Sequence, residues 1–139
     1  MIGKLIVLFA LVCVLIFWSF PTARSTPPET GNSEHGRYLV EQVAMCGQCH
    51  SPRNDNGEII REQWLKGAPI PVQNPYAYRS WAEFAPRIAG LPQYTDEQAL
   101  TLFTKGIGRA EKELRRPMPP FRMSEQDARD VVAYLRTLE

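Results

Sequence analysis

Cys46, Cys49 and His50 stand together in the segment Cys46-Gly47-Gln48-Cys49-His50. Two thiols three positions apart, with a histidine directly after the second, form the pattern for covalent attachment of haem c. The spacing lets each thiol add to one vinyl group of the same macrocycle. The histidine is then held beside the iron as its proximal ligand. Competing chemistries need residues that this chain lacks. A thioredoxin-like dithiol calls for a βαβ setting, and no stretch alternates with the period of a strand. A structural zinc site needs four ligands. The only further cysteine and histidine are Cys13, inside an apolar run, and His35. A disulfide framework would use an even, dispersed set of cysteines. The expectation is one covalent haem c per chain, through Cys46, Cys49 and His50.

The opposite axial position of the iron has several candidates. His35 lies 11 residues before Cys46 and reads as a solvated residue at a helix start. Met45 adjoins the attachment segment and is committed to the proximal side. Met118 and Met123 remain. A thioether is a soft ligand that raises the potential of haem iron. Met118 lies in Arg116-Pro117-Met118-Pro119-Pro120-Phe121, where flanking prolines fix φ and stiffen the loop. A stiff loop holds a weak ligand at small entropic cost. Met123 has no such brace and stands as the fallback.

These residues need a scaffold. Residues 5–20 are apolar and uncharged, preceded by Lys4, and the uncharged run extends to Ala23. Nineteen residues of helix would reach about 28 Å, enough to cross a bilayer core. Residues 1–23 therefore read as a membrane anchor or a signal peptide. Both readings stay open, because Pro21-Thr22-Ala23 is a poor cleavage site. Residues 24–32 are a Pro/Ser/Thr-rich linker, and residues 33–139 form the domain. Gly36, Leu39, Val40 and Val43 mark one face of a helix over 33–44. Residues 51–79 read as loop. Ser80 and Glu83 suggest a short helix that stops at Pro86. Thr95 and Gln98 form a capping box for a helix over 96–105, which Gly106 ends. Residues 106–116 read as a solvated loop. Ser124 starts a last helix over 125–138, with Ala128, Val131, Val132, Leu135 and Leu138 as its apolar stripe. The fold class is all-α: about four helices with long loops around one haem, after an N-terminal membrane or signal helix. Sixteen basic and fifteen acidic residues leave a net charge of +1. That balance offers no footprint for nucleic acid.

At this point the chain resembles the class I cytochrome c family over residues 31–139. The likeness rests on Gly36 in the first helix, the Cys46–His50 motif, Pro86-Arg87-Ile88-Ala89-Gly90, Pro117-Met118-Pro119-Pro120-Phe121, and Val131-Val132-Ala133-Tyr134-Leu135. The resemblance implies that the first and last helices cross with Gly36 against Tyr134. It also implies that the Pro86 carbonyl accepts a hydrogen bond from His50, which fixes the imidazole tautomer. Polar aromatic and arginine side chains hold the haem propionates in this family; Trp64, Tyr76, Tyr78, Trp81 and Arg87 are the residues in range. The long stretch between His50 and Pro86, with Trp64-Leu65-Lys66-Gly67-Ala68-Pro69, is similar to cytochrome subunits of membrane-associated alcohol and sugar dehydrogenases. The implied function is one-electron transfer by haem c with His50 and Met118 as axial ligands, an electron carrier rather than an enzyme. The setting would be a respiratory or dehydrogenase chain at the outer, periplasmic face of the bacterial cytoplasmic membrane. Partners would be a membrane dehydrogenase, a respiratory complex or an oxidase, with contact to the membrane through residues 5–23 if these are retained. The alternative is a haem enzyme or gas sensor with an open sixth iron position.

Overall fold

The computed structural model describes residues 30–76 and 80–138. The apolar segment 5–23, most of the linker and Tyr78 lie outside the described residues. Among the described residues no helix is long and apolar enough to cross a membrane.

Helix α1 (Ser33–Tyr38) starts at Asn32, whose side-chain oxygen accepts from the Glu34 and His35 amides at 3.0 and 3.2 Å. This is an N-cap that satisfies two orphan donors. The single helix expected over 33–44 does not run uniformly. At Leu39–Val43 it widens into a π turn, with the Ala44 amide reaching the Leu39 carbonyl at 2.7 Å. Such turns absorb an extra residue and recur at functional sites. Here the turn delivers Met45, at φ 48°, and Cys46, whose amide bonds the Val40 carbonyl at 3.0 Å. Helix α2 (Gly47–His50) follows at once.

The long loop after α2 holds a 3-10 turn at Arg61–Gln63 and a minimal antiparallel pair, β1 (Ala68–Pro69) with β2 (Phe84–Ala85). Ala68 stands opposite Ala85 and Pro69 opposite Phe84. The short helix expected from Ser80 and Glu83 does not form. Local capping chemistry is overridden by pairing: the Glu83 carbonyl accepts from the Ile70 amide at 2.9 Å, and the Ala82 amide donates to the Arg116 carbonyl at 2.7 Å. Tertiary hydrogen bonds of this kind outweigh the weak preference of a four-residue signal.

Helix α3 (Asp96–Lys105) has the expected bounds. Thr95 and Gln98 complete the capping box, and Gly106 closes the helix at φ 67°. Helix α4 (Glu125–Arg136) starts at Ser124, whose hydroxyl accepts from the Asp127 amide at 3.1 Å. Its stripe of Ala128, Val131, Val132 and Leu135 is buried with Ala99, Leu102 and Phe103 of α3, and with Val40 and Leu65. Each fully buried Val or Leu contributes about 1.5–3 kcal/mol. The architecture is mostly helical, with β1–β2 the one sheet among the described residues.

Two polar devices fasten α4. The Arg136 guanidinium donates to the carbonyls of Gly90, Leu91 and Tyr94 at 2.7, 3.2 and 2.7 Å, and pairs with Asp96 at 2.8 Å. It ties the end of α4 to the turn before α3. At the crossing of α1 and α4, buried Asp130 accepts from the Asn32 amide, His35 Nδ1 and the Gln126 amide, at 2.7, 2.7 and 2.8 Å. Burial raises the Asp130 pKa, but these hydrogen bonds outweigh it and hold the carboxyl below its ordinary value. Gly36 meets α4 so closely that a Cβ there would fall on the Asp130 carbonyl, with Tyr134 Cβ 3.0 Å away. Tyr134 donates to Glu41 at 2.7 Å, and burial pushes its hydroxyl up to about 12.

Candidate functional site

The helices and the two loops leave a large apolar cavity of about 590 Å³ among the described residues. Its wall includes Cys46 at the start of α2, Cys49 and His50 within it, Pro86 after β2, and Met118 between Pro117 and Pro119. Leu91, Ala99, Leu102, Phe103 and Phe121 supply apolar lining. Five residues spread over 73 positions of sequence, Cys46 through Met118, are thus brought to one space. Met123 packs on the core instead, its amide bonded to the Phe103 carbonyl at 3.0 Å. His35 sits at the α1–α4 crossing against Asp130 and does not line the cavity. The expectation of a solvated His35 is therefore corrected in part: the ring is 43 % exposed but paired. Met45 lines the cavity and is also 55 % exposed.

The local sequence explains how each group is held. Gly47 is required inside the motif because a Cβ would fall on the Trp64 indole. Trp64 is thereby a wall behind α2, with Arg61 stacked 5.0 Å from its ring centre. His50 is buried, and its Nδ1–H donates to the Pro86 carbonyl at 2.7 Å. That bond commits Nδ1 and leaves the Nε2 lone pair for a metal. Burial lowers the His50 pKa, against the opposing effect of the Pro86 carbonyl, and favours the neutral ring that a metal requires.

The partner of His50 is positioned by the long loop. The His50 carbonyl accepts from the Gly67 amide at 2.8 Å, just before β1. The Ser51 hydroxyl accepts from the Leu65 amide at 2.9 Å. The Leu65 carbonyl in turn accepts from Ile88 and Ala89 at 3.0 and 3.1 Å. Buried Leu65, at φ 57°, is the hub of this arrangement. The loop therefore returns Pro86 to the side of α2. Sequence reasoning missed the hub, since nothing in the residue types marks a leucine at positive φ. The segment 106–116 is mostly exposed, as expected of a solvated loop, but Gly108, Leu114 and Arg115 also line the cavity, and Ile107 pairs with Glu113 across the segment.

The wall fits a haem. The thiols of Cys46 and Cys49 are free of any disulfide. Burial pushes the Cys46 thiol up to about 11. A redox dithiol needs the opposite shift, toward the thiolate. The cavity wall is mostly apolar and suits a flat macrocycle. Its exposed charged side chains are Arg87, Arg109, Lys112 and Arg115 against Glu113 alone, a positive margin that suits a cofactor with two carboxylates. Trp81 and Tyr76 do not line this cavity. Of the residues expected near the propionates, only Arg87 does among those described.

Comparison with known proteins agrees with this geometry. A stretch of 38 residues, 27 % of the chain, is 53 % identical to a protein described as "Diheme cytochrome c-type" from Cereibacter sphaeroides. A stretch of 58 residues, 42 % of the chain, is 41 % identical to the "Fructose dehydrogenase cytochrome subunit" of Gluconobacter japonicus. These stretches span 13 % and 10 % of the two relatives' lengths. The family and the relatives support haem-mediated electron transfer, with covalently attached haem c as the cofactor. Residues 33–139 match the family model for cytochrome c, and the chain belongs to the cytochrome c family.

Proposed function

We propose that this chain is a one-electron carrier in which Cys46 and Cys49 form the thioethers to haem c, His50 is the proximal iron ligand and Met118 the distal one. The observation that carries the reading is the convergence of Cys46, Cys49, His50 and Met118 on one apolar cavity. When bound, the haem supplies a one-electron couple. The residues of the chain set its conditions. The bond from His50 to the Pro86 carbonyl fixes the ring and strengthens it as a donor. Met118, braced by Pro117 and Pro119, would be the second protein ligand to the iron, a soft thioether that would raise the potential. With His50 and Met118 both committed to the iron, no position would remain for a substrate, and the site would pass electrons only.

The same reading extends to location and partners. An apolar N-terminal run after Lys4 supports export, with residues 1–23 as anchor or signal, 24–32 as linker and 33–139 as the haem domain. The domain would then lie at the periplasmic face of the cytoplasmic membrane. Likeness to a dehydrogenase cytochrome subunit supports a membrane dehydrogenase, respiratory complex or oxidase as redox partner. A retained anchor would raise the effective concentration of the domain near such a complex.

Met118→Ala tests the ligand assignment. The oxidised variant should lose the sulfur–iron charge-transfer band, and its potential should fall. Survival of the band in Met118→Ala with its loss in Met123→Ala would move the ligand to Met123.

A further inference from the structure

The long loop between His50 and Pro86 does more than return Pro86 to His50. Beyond β1 it also reaches the segment that carries Met118. The Arg115 guanidinium donates to the Trp81 carbonyl at 2.7 Å. The Ala82 amide donates to the Arg116 carbonyl at 2.7 Å, and Trp81 pairs with Arg116 in parallel register. Arg115 and Arg116 stand three and two positions before Met118. On its other side, Trp81–Ala82 runs into β2, whose pairing with β1 leads back through Gly67 to the His50 carbonyl. Short stretches of chain joined by backbone hydrogen bonds therefore connect His50 to the methionine loop.

We propose that Trp81–Ala82 is a strap that holds the Met118 loop against the haem, with Arg115 as a positioning residue for the axial methionine. The inference rests on the assignment of Met118 as distal ligand. The physical case is one of competition. A thioether is a weak ligand that external nitrogen bases displace when the loop opens. The loop itself has few anchors of its own. Met118 is bonded through its amide to the Arg115 carbonyl at 3.2 Å, so the residue fastened to Trp81 is also the one that turns the chain into Met118. The prolines stiffen residues 117–120 but make no bond to the rest of the domain through nitrogen. The strap supplies that bond. Arg115 is exposed, so its contact is worth about as much as an ordinary hydrogen bond. The Ala82 amide adds a second, purely backbone contact.

The test uses the holoprotein and the binding of imidazole to its ferric form, read from the visible spectrum. Arg115→Ala should tighten imidazole binding about fivefold, because the open form of the loop becomes easier to reach. Ala82→Pro removes the amide donor and should act in the same direction. Arg115→Lys keeps a cation that reaches part of the way and should recover part of the native value. A merely structural contact would lower the melting temperature and leave the imidazole affinity unchanged. Unchanged affinity in both Arg115→Ala and Ala82→Pro, with the sulfur–iron band intact in the native protein, would overturn the strap alone. Absence of that band in the native protein would overturn the ligand assignment and the strap with it. Should Ala82→Pro fail to fold, exchange of the Ala82 amide in native protein and in Arg115→Ala decides. Protection in the first and its loss in the second is expected; an amide that exchanges freely in both would contradict the strap.

Discussion

Replacement of Cys46 and Cys49 together by alanine should yield a chain that carries no covalent haem and does not hold the native fold. The first effect follows from the chemistry: with both thiols gone, nothing in the motif forms a bond to the macrocycle. A denaturing gel stained for haem reads it directly, and colour migrating with the doubly substituted chain would refute the attachment. The second effect follows from the apolar wall. The cavity measures about 590 Å³. Without haem, apolar side chains of this wall such as Phe103 and Phe121 would face water, at about 1.5–3 kcal/mol for each one fully exposed, a large share of a domain's total stability. The apo chain should therefore lose its near-ultraviolet circular dichroism. Each single variant leaves one thiol and should keep both colour and fold.

Gly36→Val should be the most damaging single change outside the haem site. A Cβ at position 36 would overlap the Asp130 carbonyl, which belongs to the backbone of α4 and cannot rotate away. The helices would have to separate, and Asp130 would lose its bonds to Asn32 and His35 as they did so. We expect a loss of about 3 kcal/mol, or roughly 15 °C in melting temperature. Gly57→Ala is the control. Gly57 stands at φ 82° with nothing within 4 Å of a built Cβ, so only backbone strain of about 1 kcal/mol should appear. A Gly36→Val protein that melts within a degree or two of the native one would contradict the close crossing.

The parts legible in the sequence were those whose information is local. The capping box of Thr95 and Gln98, the Gly106 stop and the apolar stripe of α4 are all contained within a dozen residues, and each reads the same in the structure except that α4 ends at Arg136, short of Leu138. Gly36 was legible for a different reason: a glycine on an apolar helical face is costly, and so implies a close neighbour. What escaped notice depends on contacts between distant segments. Ser80 and Glu83 carry a helix signal, yet their segment pairs with β1 and with Arg116. Asp130 stands one turn before Tyr134 on the face that meets α1, and an acid there could have suggested a partner; the partner, His35, is 95 positions away. Leu65 and Arg136 are ordinary residues by type. Their roles come from the carbonyls and amides that the folded chain gathers around them. The π turn at Leu39–Val43 has no compositional mark at all.

The visible spectrum of the purified holoprotein, oxidised and reduced, with carbon monoxide added to the reduced form, tests the central claim most directly. A carrier with His50 and Met118 on the iron should be low-spin in both states, show the sulfur–iron band when oxidised, and remain unchanged under carbon monoxide. Rapid carbon monoxide binding by a high-spin reduced form would mean an open sixth position, and would contradict the electron-carrier account in favour of a haem enzyme or gas sensor.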